Sequence, residues 1–172
     1  MKIRQAWAVV AFVGLSACSP SLNWRTVPVE QLAALLPCKP DFAERKVALG
    51  GVQRTLSMWG CEAGGALFAV SHLRADATAT PQQVVAAWQL AALRNMPGAT
   101  AQVLAFNAPT LAGQAALPGT MVRATGKGAD GSAVQAQLAW FSRDANIYHL
   151  AVFAPALSPA LTDTFFTELH WQ

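Results

Sequence analysis

Three cysteines and three histidines carry the side chains best suited to chemistry in this chain. A zinc site needs such residues in closely spaced pairs, but His72, His149 and His170 are far apart and have no close histidine or cysteine partner. No G-x-S-x-G elbow of serine hydrolases occurs, and residues 126–131 fit a hairpin turn better than a phosphate-binding loop. We therefore predict no metal, no cofactor and no enzymatic activity.

Cys18 ends the run Leu15-Ser16-Ala17-Cys18, which follows a short apolar stretch. Lys2 and Arg4 supply a positive start, and residues 6–15 are apolar, long enough for a signal peptide but too short to span a bilayer. The run from Leu15 to Cys18 resembles the lipobox of bacterial lipoproteins. The alternative is a soluble periplasmic protein in which a cysteine follows the cleavage region by coincidence.

The lipobox resemblance implies that residues 1–17 are a signal peptide, removed before Cys18. It also implies a diacylglyceryl thioether on the Cys18 sulfur and an acyl group on the new amine, which together would hold the protein on a membrane. Ser19, rather than Asp, follows the cysteine. This favours the periplasmic face of the outer membrane as the location, with the inner membrane as the alternative.

Cys38 and Cys61 are the two cysteines that remain in the mature chain. An exported protein folds in an oxidising compartment, so a structural disulfide between them is the expected state. Their spacing differs from the C-x-x-C of a redox pair. The closed loop would be roughly 24 residues long, for which the chain-entropy model gives about 3 kcal/mol of stabilisation.

The disulfide would draw charged and aromatic neighbours together. Asp41 and Glu62 lie close to the cysteines in sequence, and Trp59 lies two residues before Cys61. These three side chains are the candidate binding surface. A surface ion-pair cluster of the two carboxylates with Lys39 and Arg45 is expected there, with Trp59 shielding the disulfide. The alternative is a small polar ligand site that Trp59 lines.

The mature chain has the length of one domain, predicted over residues 28–172, behind a short tether at residues 18–27. Its formal charge falls from +3 to about +1 once Lys2 and Arg4 are removed, and no basic patch is evident. Charge and compartment together argue against a nucleic-acid partner.

Glycine and proline divide the mature chain into short elements. Thr80, Pro81 and Gln83 form a capping box that begins a helix, and Ser158 with Pro159 begins a second helix that carries apolar residues through Leu169. Residues 28–36 are predicted as one or two helical turns. The predicted strands cover residues 45–49, 52–61, 66–74, 101–106, 119–126, 132–141 and 147–153, and residues 107–118 are predicted as a loop.

Consecutive strands joined by tight turns indicate an antiparallel sheet. The predicted fold class is α+β, with two layers: a mostly antiparallel sheet of six to seven strands, and two main helices on one face. The element order and the ending Phe165-Phe166-Thr167-Glu168-Leu169-His170 resemble PsbP/Mog1-like domains. That resemblance implies a binding or assembly module.

The segments 35–41 and 60–65 also resemble uncharacterised lipoproteins of proteobacteria, a likeness that implies no activity. We expect a non-enzymatic lipoprotein that binds an envelope protein or assembles with it. The alternative is a carrier of an apolar small molecule or lipid between sheet and helices, which a chain with 53% hydrophobic and 12% charged residues would suit. A third hypothesis, a hydrolase of envelope polymers, requires paired acids in a cleft.

Overall fold

A computed structural model describes residues 21–110, 117 and 119–172 of the protein. Cys18 and the whole predicted signal peptide therefore lie outside the described residues, as do residues 111–116 and 118 of the predicted loop. The strands are β1 (Arg25–Val29), β2 (Leu32–Leu36), β3 (Asp41–Leu49), β4 (Val52–Ala63), β5 (Ala66–Arg74), β6 (Thr100–Leu104), β7 (Gly119–Lys127), β8 (Ala133–Arg143), β9 (Asn146–Ala154) and β10 (Leu169–Trp171). The helices are α1 (Pro81–Arg94) and α2 (Pro159–Thr167).

Seven of these strands form one large sheet in the order β3-β4-β5-β9-β8-β7-β6. Every neighbouring pair in it is antiparallel. The β3–β4 hairpin turns through Gly50 and Gly51, whose φ angles of 62° and 80° are easily reached only by glycine. The sequence-based prediction of a mostly antiparallel sheet with two helices is confirmed.

The two helices pack against opposite faces of the large sheet. Trp88 of α1 belongs to one hydrophobic core together with Trp140 of β8. Phe165 of α2 belongs to the other core, together with Phe141, the next residue of β8. The prediction that both helices cover one face is wrong, because each sheet face is apolar and each needs its own cover. The domain has three layers rather than two.

A second, three-stranded sheet in the order β1-β2-β10 lies in the same layer as α2. The prediction of a helix over residues 28–36 is therefore wrong. Leu32, Ala34 and Leu36 are all buried, and β2 pairs with a strand on each side, so tertiary pairing overrides the helix propensity of a Leu- and Ala-rich run. Pro28 is tolerated because β1 is an edge strand.

The two ends of the domain also differ from the sequence-based boundaries. Arg25, within the segment predicted as a tether, already begins β1. At the other end, α2 stops at Thr167, although the apolar spacing of the sequence continues to Leu169. Leu169 to Trp171 pair instead with the free edge of β2 as β10.

Cys38 and Cys61 form the predicted disulfide. Cys38 follows β2 of the small sheet, and Cys61 lies in β4 of the large sheet, so the bond joins the two sheets covalently. In the described part of the chain, neither helix has the length and apolar content needed to cross a bilayer.

Candidate functional site: a cleft between the large sheet and helix α1

The face of the large sheet that α1 covers is only partly shielded. A helix of 14 residues is about 21 Å long and 10 Å wide, whereas seven strands spaced by about 4.8 Å span roughly 30 Å. On this face α1 is the only described helix or strand laid across the sheet. A cleft of about 660 Å³ remains beside the helix, bounded by strands β3 to β5, β7 to β9 and the C-terminal half of α1.

Small side chains create the space inside this cleft. The central strands contribute Ala69 and Ala151 to its floor, and α1 contributes Ala91 and Ala92 to its wall. The next residues along the same strands, which face the other side of the sheet, are the larger Phe68, Val70, Leu150 and Val152. The cleft is therefore built into the sequence as one alanine at a paired inward position of each of β5 and β9, and two adjacent alanines in α1.

Larger apolar residues complete the lining. Met58, Leu67, Trp88, Met96 and Phe153 all contribute to it. A volume of this size lies within the ~300–1,000 Å³ range of small-molecule sites, which are mostly apolar with a few polar groups. The surface suits an apolar ligand.

His149 is a buried polar residue at the centre of this face, where it is paired with the buried Ser71 of β5. Its imidazole lies between two indoles, with ring centroids 4.7 Å from Trp140 and 5.0 Å from Trp88. Burial lowers the pKa of the imidazole to about 3, because no charged partner compensates for the loss of water. The Nε2 atom is buried and has no hydrogen-bond partner within the described residues. His149 is thus neutral at physiological pH and adds no charge to the cleft.

Polar groups stand at the rim of the cleft. Arg45 of β3, Lys127 of β7 and Asn95 after α1 line it, and all three are exposed. No carboxylate occurs among the described residues that line the cleft. The cleft therefore combines an apolar interior with a rim whose charged groups are basic.

The predicted binding surface of Trp59, Glu62 and Asp41 does not form one surface. Trp59 packs with the core on the α2 side of the sheet, where exposed Phe42 contacts it in a tilted arrangement with ring centroids 5.0 Å apart. Glu62 alternates with Trp59 along β4, and Asp41 pairs with Gly60, so both carboxylates lie on the α1 side. Successive residues of a strand face opposite sides of the sheet, so residues that are close in sequence can lie on different faces.

Among the residues that the structure describes, the expected ion-pair cluster next to the disulfide is not observed. The ion pairs recorded in the described residues are Arg54–Asp76 and Glu168–His170. A depression of about 480 Å³ next to the disulfide region is lined by residues 62–67, and neither Trp59 nor a cysteine contributes to it.

The three histidines lie in separate environments. His72 contacts Asn146 Oδ1 at 3.1 Å and packs against Tyr148, on the opposite face from His149. His170 is exposed and lies 3.6 Å from Glu168. No cluster of three histidine, cysteine or acidic residues with metal-binding geometry occurs in the part of the chain that the structure describes.

The sequence suggested a carrier of an apolar molecule between sheet and helices as an alternative, but sequence reasoning missed the residues that line the cleft and the central position of His149. The signal that points to the cleft is a small residue at an inward position of each of two strands, Ala69 and Ala151, together with the adjacent Ala91 and Ala92 of α1. This pattern can be recognised only once the strand order shows which residues share a face.

Comparison with known proteins identifies no family for this chain. No family model and no curated protein matches the chain. The solved structures that resemble it include PA94 from Pseudomonas aeruginosa, a protein of unknown function. The two chains are 13% identical with a TM-score of 0.40, over 80% of this chain and 84% of that one.

Proposed function

We propose that this protein is a non-enzymatic lipoprotein of the bacterial envelope that holds an apolar small molecule or lipid in the cleft between its large sheet and α1. The observation that carries the proposal is the cleft itself: about 660 Å³, lined mainly by apolar side chains and left open because one helix cannot cover seven strands. A well-packed domain would fill such a space with its own side chains.

The anchoring part of the proposal rests on the sequence around Cys18. A lipid on Cys18, at the periplasmic face of the outer membrane, would place the domain beside a reservoir of apolar molecules. The resemblance to PsbP/Mog1-like domains implies a binding module in the same way.

Assembly with an envelope protein is the second candidate function. It is favoured by Phe42, which is 58% exposed on the edge strand β3. An edge strand offers unpaired backbone groups to an added strand, and an exposed aromatic side chain would strengthen such a contact. The cleft is the larger and more specific feature, so ligand binding is the primary proposal.

Native mass spectrometry tests the primary proposal. The protein is extracted from bacterial membranes with a non-ionic detergent, and its mass is compared with that of two double variants. A91F/A92F places two phenyl rings in the cleft, whereas A86F/L90F places the same two rings at exposed positions of α1 outside it. We expect a bound mass beyond the acylated chain in the wild type and in A86F/L90F.

The cleft-filling variant should lose that mass. Detergent that binds non-specifically would appear in all three proteins and is thereby separated from a ligand of the cleft. If the wild type and A91F/A92F carry the same bound mass, or if neither carries any, the cleft is not a ligand site and assembly through β3 becomes the leading candidate.

A further inference from the structure

The first described residues fix where the chain leaves the domain toward Cys18. A Cβ atom on Gly64 would lie 3.1 Å from Leu22 Cδ2, so Leu22 is seated on the turn between β4 and β5. The backbone N–H of Asn23 donates to the carbonyl of Pro37 at 2.7 Å. We call the end of the large sheet that holds this turn, Gly64 and Gly65 with the start of β5, the anchor end.

The segment before Leu22 is short. Leu22 is the fourth residue after Cys18, and a fully extended chain spans at most ~3.6 Å per residue, or about 14 Å over these four steps. A lipid on Cys18 would therefore keep the anchor end within about 14 Å of the membrane surface. The domain lacks the reach to present its opposite end, with the β3–β4 turn, to the same leaflet.

One end of the cleft lies at the anchor end, and the other end reaches Ala48 and Leu49 of β3, beside the β3–β4 turn. Leu67, the second residue of β5, lines the cleft and is 42% exposed. It pairs with Phe153 near the end of β9, another residue of the lining. The end of β7, with Lys127 and Gly128, and Met96 just beyond α1 also line the cleft here. Leu67 therefore adds exposed apolar surface to this end of the cleft.

Charge does not direct the anchor end to a particular lipid. Its exposed charged residues include Lys39 and Lys127, and also Asp41, Glu62 and Asp130. Asp130 is already engaged, since it accepts hydrogen bonds from the N–H and hydroxyl of Ser132. Contact with the membrane would therefore depend on apolar groups, which makes lipid acyl chains the natural counterpart.

We infer that the anchor end faces the membrane and that an acyl chain of a lipid from that membrane enters the cleft past Leu67. This inference rests on the proposed function and names the ligand class and its source. It predicts direct exchange between leaflet and cleft, without passage of the acyl chain through water.

Tryptophan fluorescence in vesicles tests the inference, because Trp88 lines the cleft. The full-length acylated protein is reconstituted into phosphatidylcholine vesicles, with or without bromine atoms on the acyl chains, since bromine quenches a tryptophan that it contacts. In each background, the contribution of Trp88 is the difference in fluorescence between the protein that has Trp88 and the same protein carrying W88F. We expect brominated lipid to quench this contribution in the wild type and in A86F/L90F, but not in A91F/A92F.

The entry of the acyl chain past Leu67 is tested with a separate variant and a matched control. L67D places a carboxylate at the mouth, and V103D places one on the edge strand β6, where Val103 is 74% exposed and outside the cleft. We expect L67D to slow the onset of Trp88 quenching by about tenfold, the change that 1.4 kcal/mol produces. V103D should leave the onset unchanged.

The possible failures are distinguishable. A bound mass in native mass spectrometry together with no bromine quenching of Trp88 would overturn the membrane source while leaving ligand binding intact. Equal onset in L67D and the wild type would overturn the route past Leu67. Quenching that persists in A91F/A92F would show that bromine reaches Trp88 from outside the cleft, and this too would overturn the inference.

Discussion

The imidazole of His149 stacks on the indole of Trp140, with ring centroids 4.7 Å apart and planes inclined by 21°. The two residues are directly paired between β8 and β9, and Trp88 of α1 contacts the same imidazole. The arrangement joins the helix to strands β8 and β9 through a neutral ring. Its stability therefore depends on that ring remaining unprotonated.

Acid should destabilise the fold through His149. The folded-state pKa is about 3, below the ordinary value of 6.5, so the unfolded chain binds the proton more readily at any pH between them. The free energy of unfolding should therefore be fully retained above pH 6.5 and fall as the pH drops toward 3. At pH 5 the loss is on the order of 2 kcal/mol. Urea unfolding at pH 7.5 and pH 5 measures it.

Two variants isolate the contribution of His149. H149F keeps an aromatic ring between the indoles but cannot titrate, so its free energy of unfolding should change little between pH 7.5 and pH 5. H170F removes the exposed histidine and should retain the acid sensitivity of the wild type. An equally acid-sensitive H149F would show that another group is responsible.

The repeating strands and the first helix were predictable because their signals are local. Alternation along β8 and β9, glycines at the hairpin turns and the Thr80 capping box each act over a few residues. The strand β2 was not predictable from its own residues: Leu32 to Leu36 form an uninterrupted apolar run without a strand period, and only pairing on both sides makes it a strand. A three-residue strand such as β10 is too short to carry a pattern.

Which face each helix covers was also beyond the sequence. Both helices are amphipathic, and either could pack on either face of a sheet that is apolar on both sides. The prediction that Trp59, Glu62 and Asp41 share a surface was wrong for a related reason. Closeness to a disulfide in sequence does not determine which face of the sheet a residue occupies. Ala69, Ala151 and His149 share one face of the sheet, and this could be recognised only from the register of β5 and β9.

Removal of the disulfide should weaken the domain without changing its fold. The bond between Cys38 and Cys61 closes a loop across the two sheets, and loss of this constraint on the unfolded chain should lower the free energy of unfolding by about 3 kcal/mol. Urea unfolding of C38S/C61S measures the loss. A reducing agent should lower the stability of the wild type to that of the variant and leave the variant unchanged; an additional effect on the variant would contradict this account.

The capping box at the start of α1 should contribute measurably, because this helix forms one wall of the cleft. Thr80 Oγ1 accepts from the Gln83 N–H at 3.3 Å, and the Gln83 Oε1 atom accepts from the Thr80 N–H at 2.8 Å. We expect T80A to lower the free energy of unfolding by about 1 kcal/mol, and T80S to retain most of it because serine offers the same acceptor. Thermal unfolding of the two variants checks this, and equal losses in both would assign the effect to the threonine methyl instead.

The proposed function requires a lipid on Cys18, because that lipid places the domain at a membrane. C18S removes the sulfur that would carry the diacylglyceryl group, so we expect no incorporation of a labelled fatty acid. We also expect the protein to accumulate as the uncleaved precursor, because the lipoprotein peptidase acts after lipid is attached. S19A keeps Cys18 and should incorporate label and mature normally. Intact mass spectrometry with fatty-acid labelling distinguishes the two variants. If the wild type carries no label, and the wild type and C18S are both cleaved at the same position, the cysteine follows an ordinary secretory site.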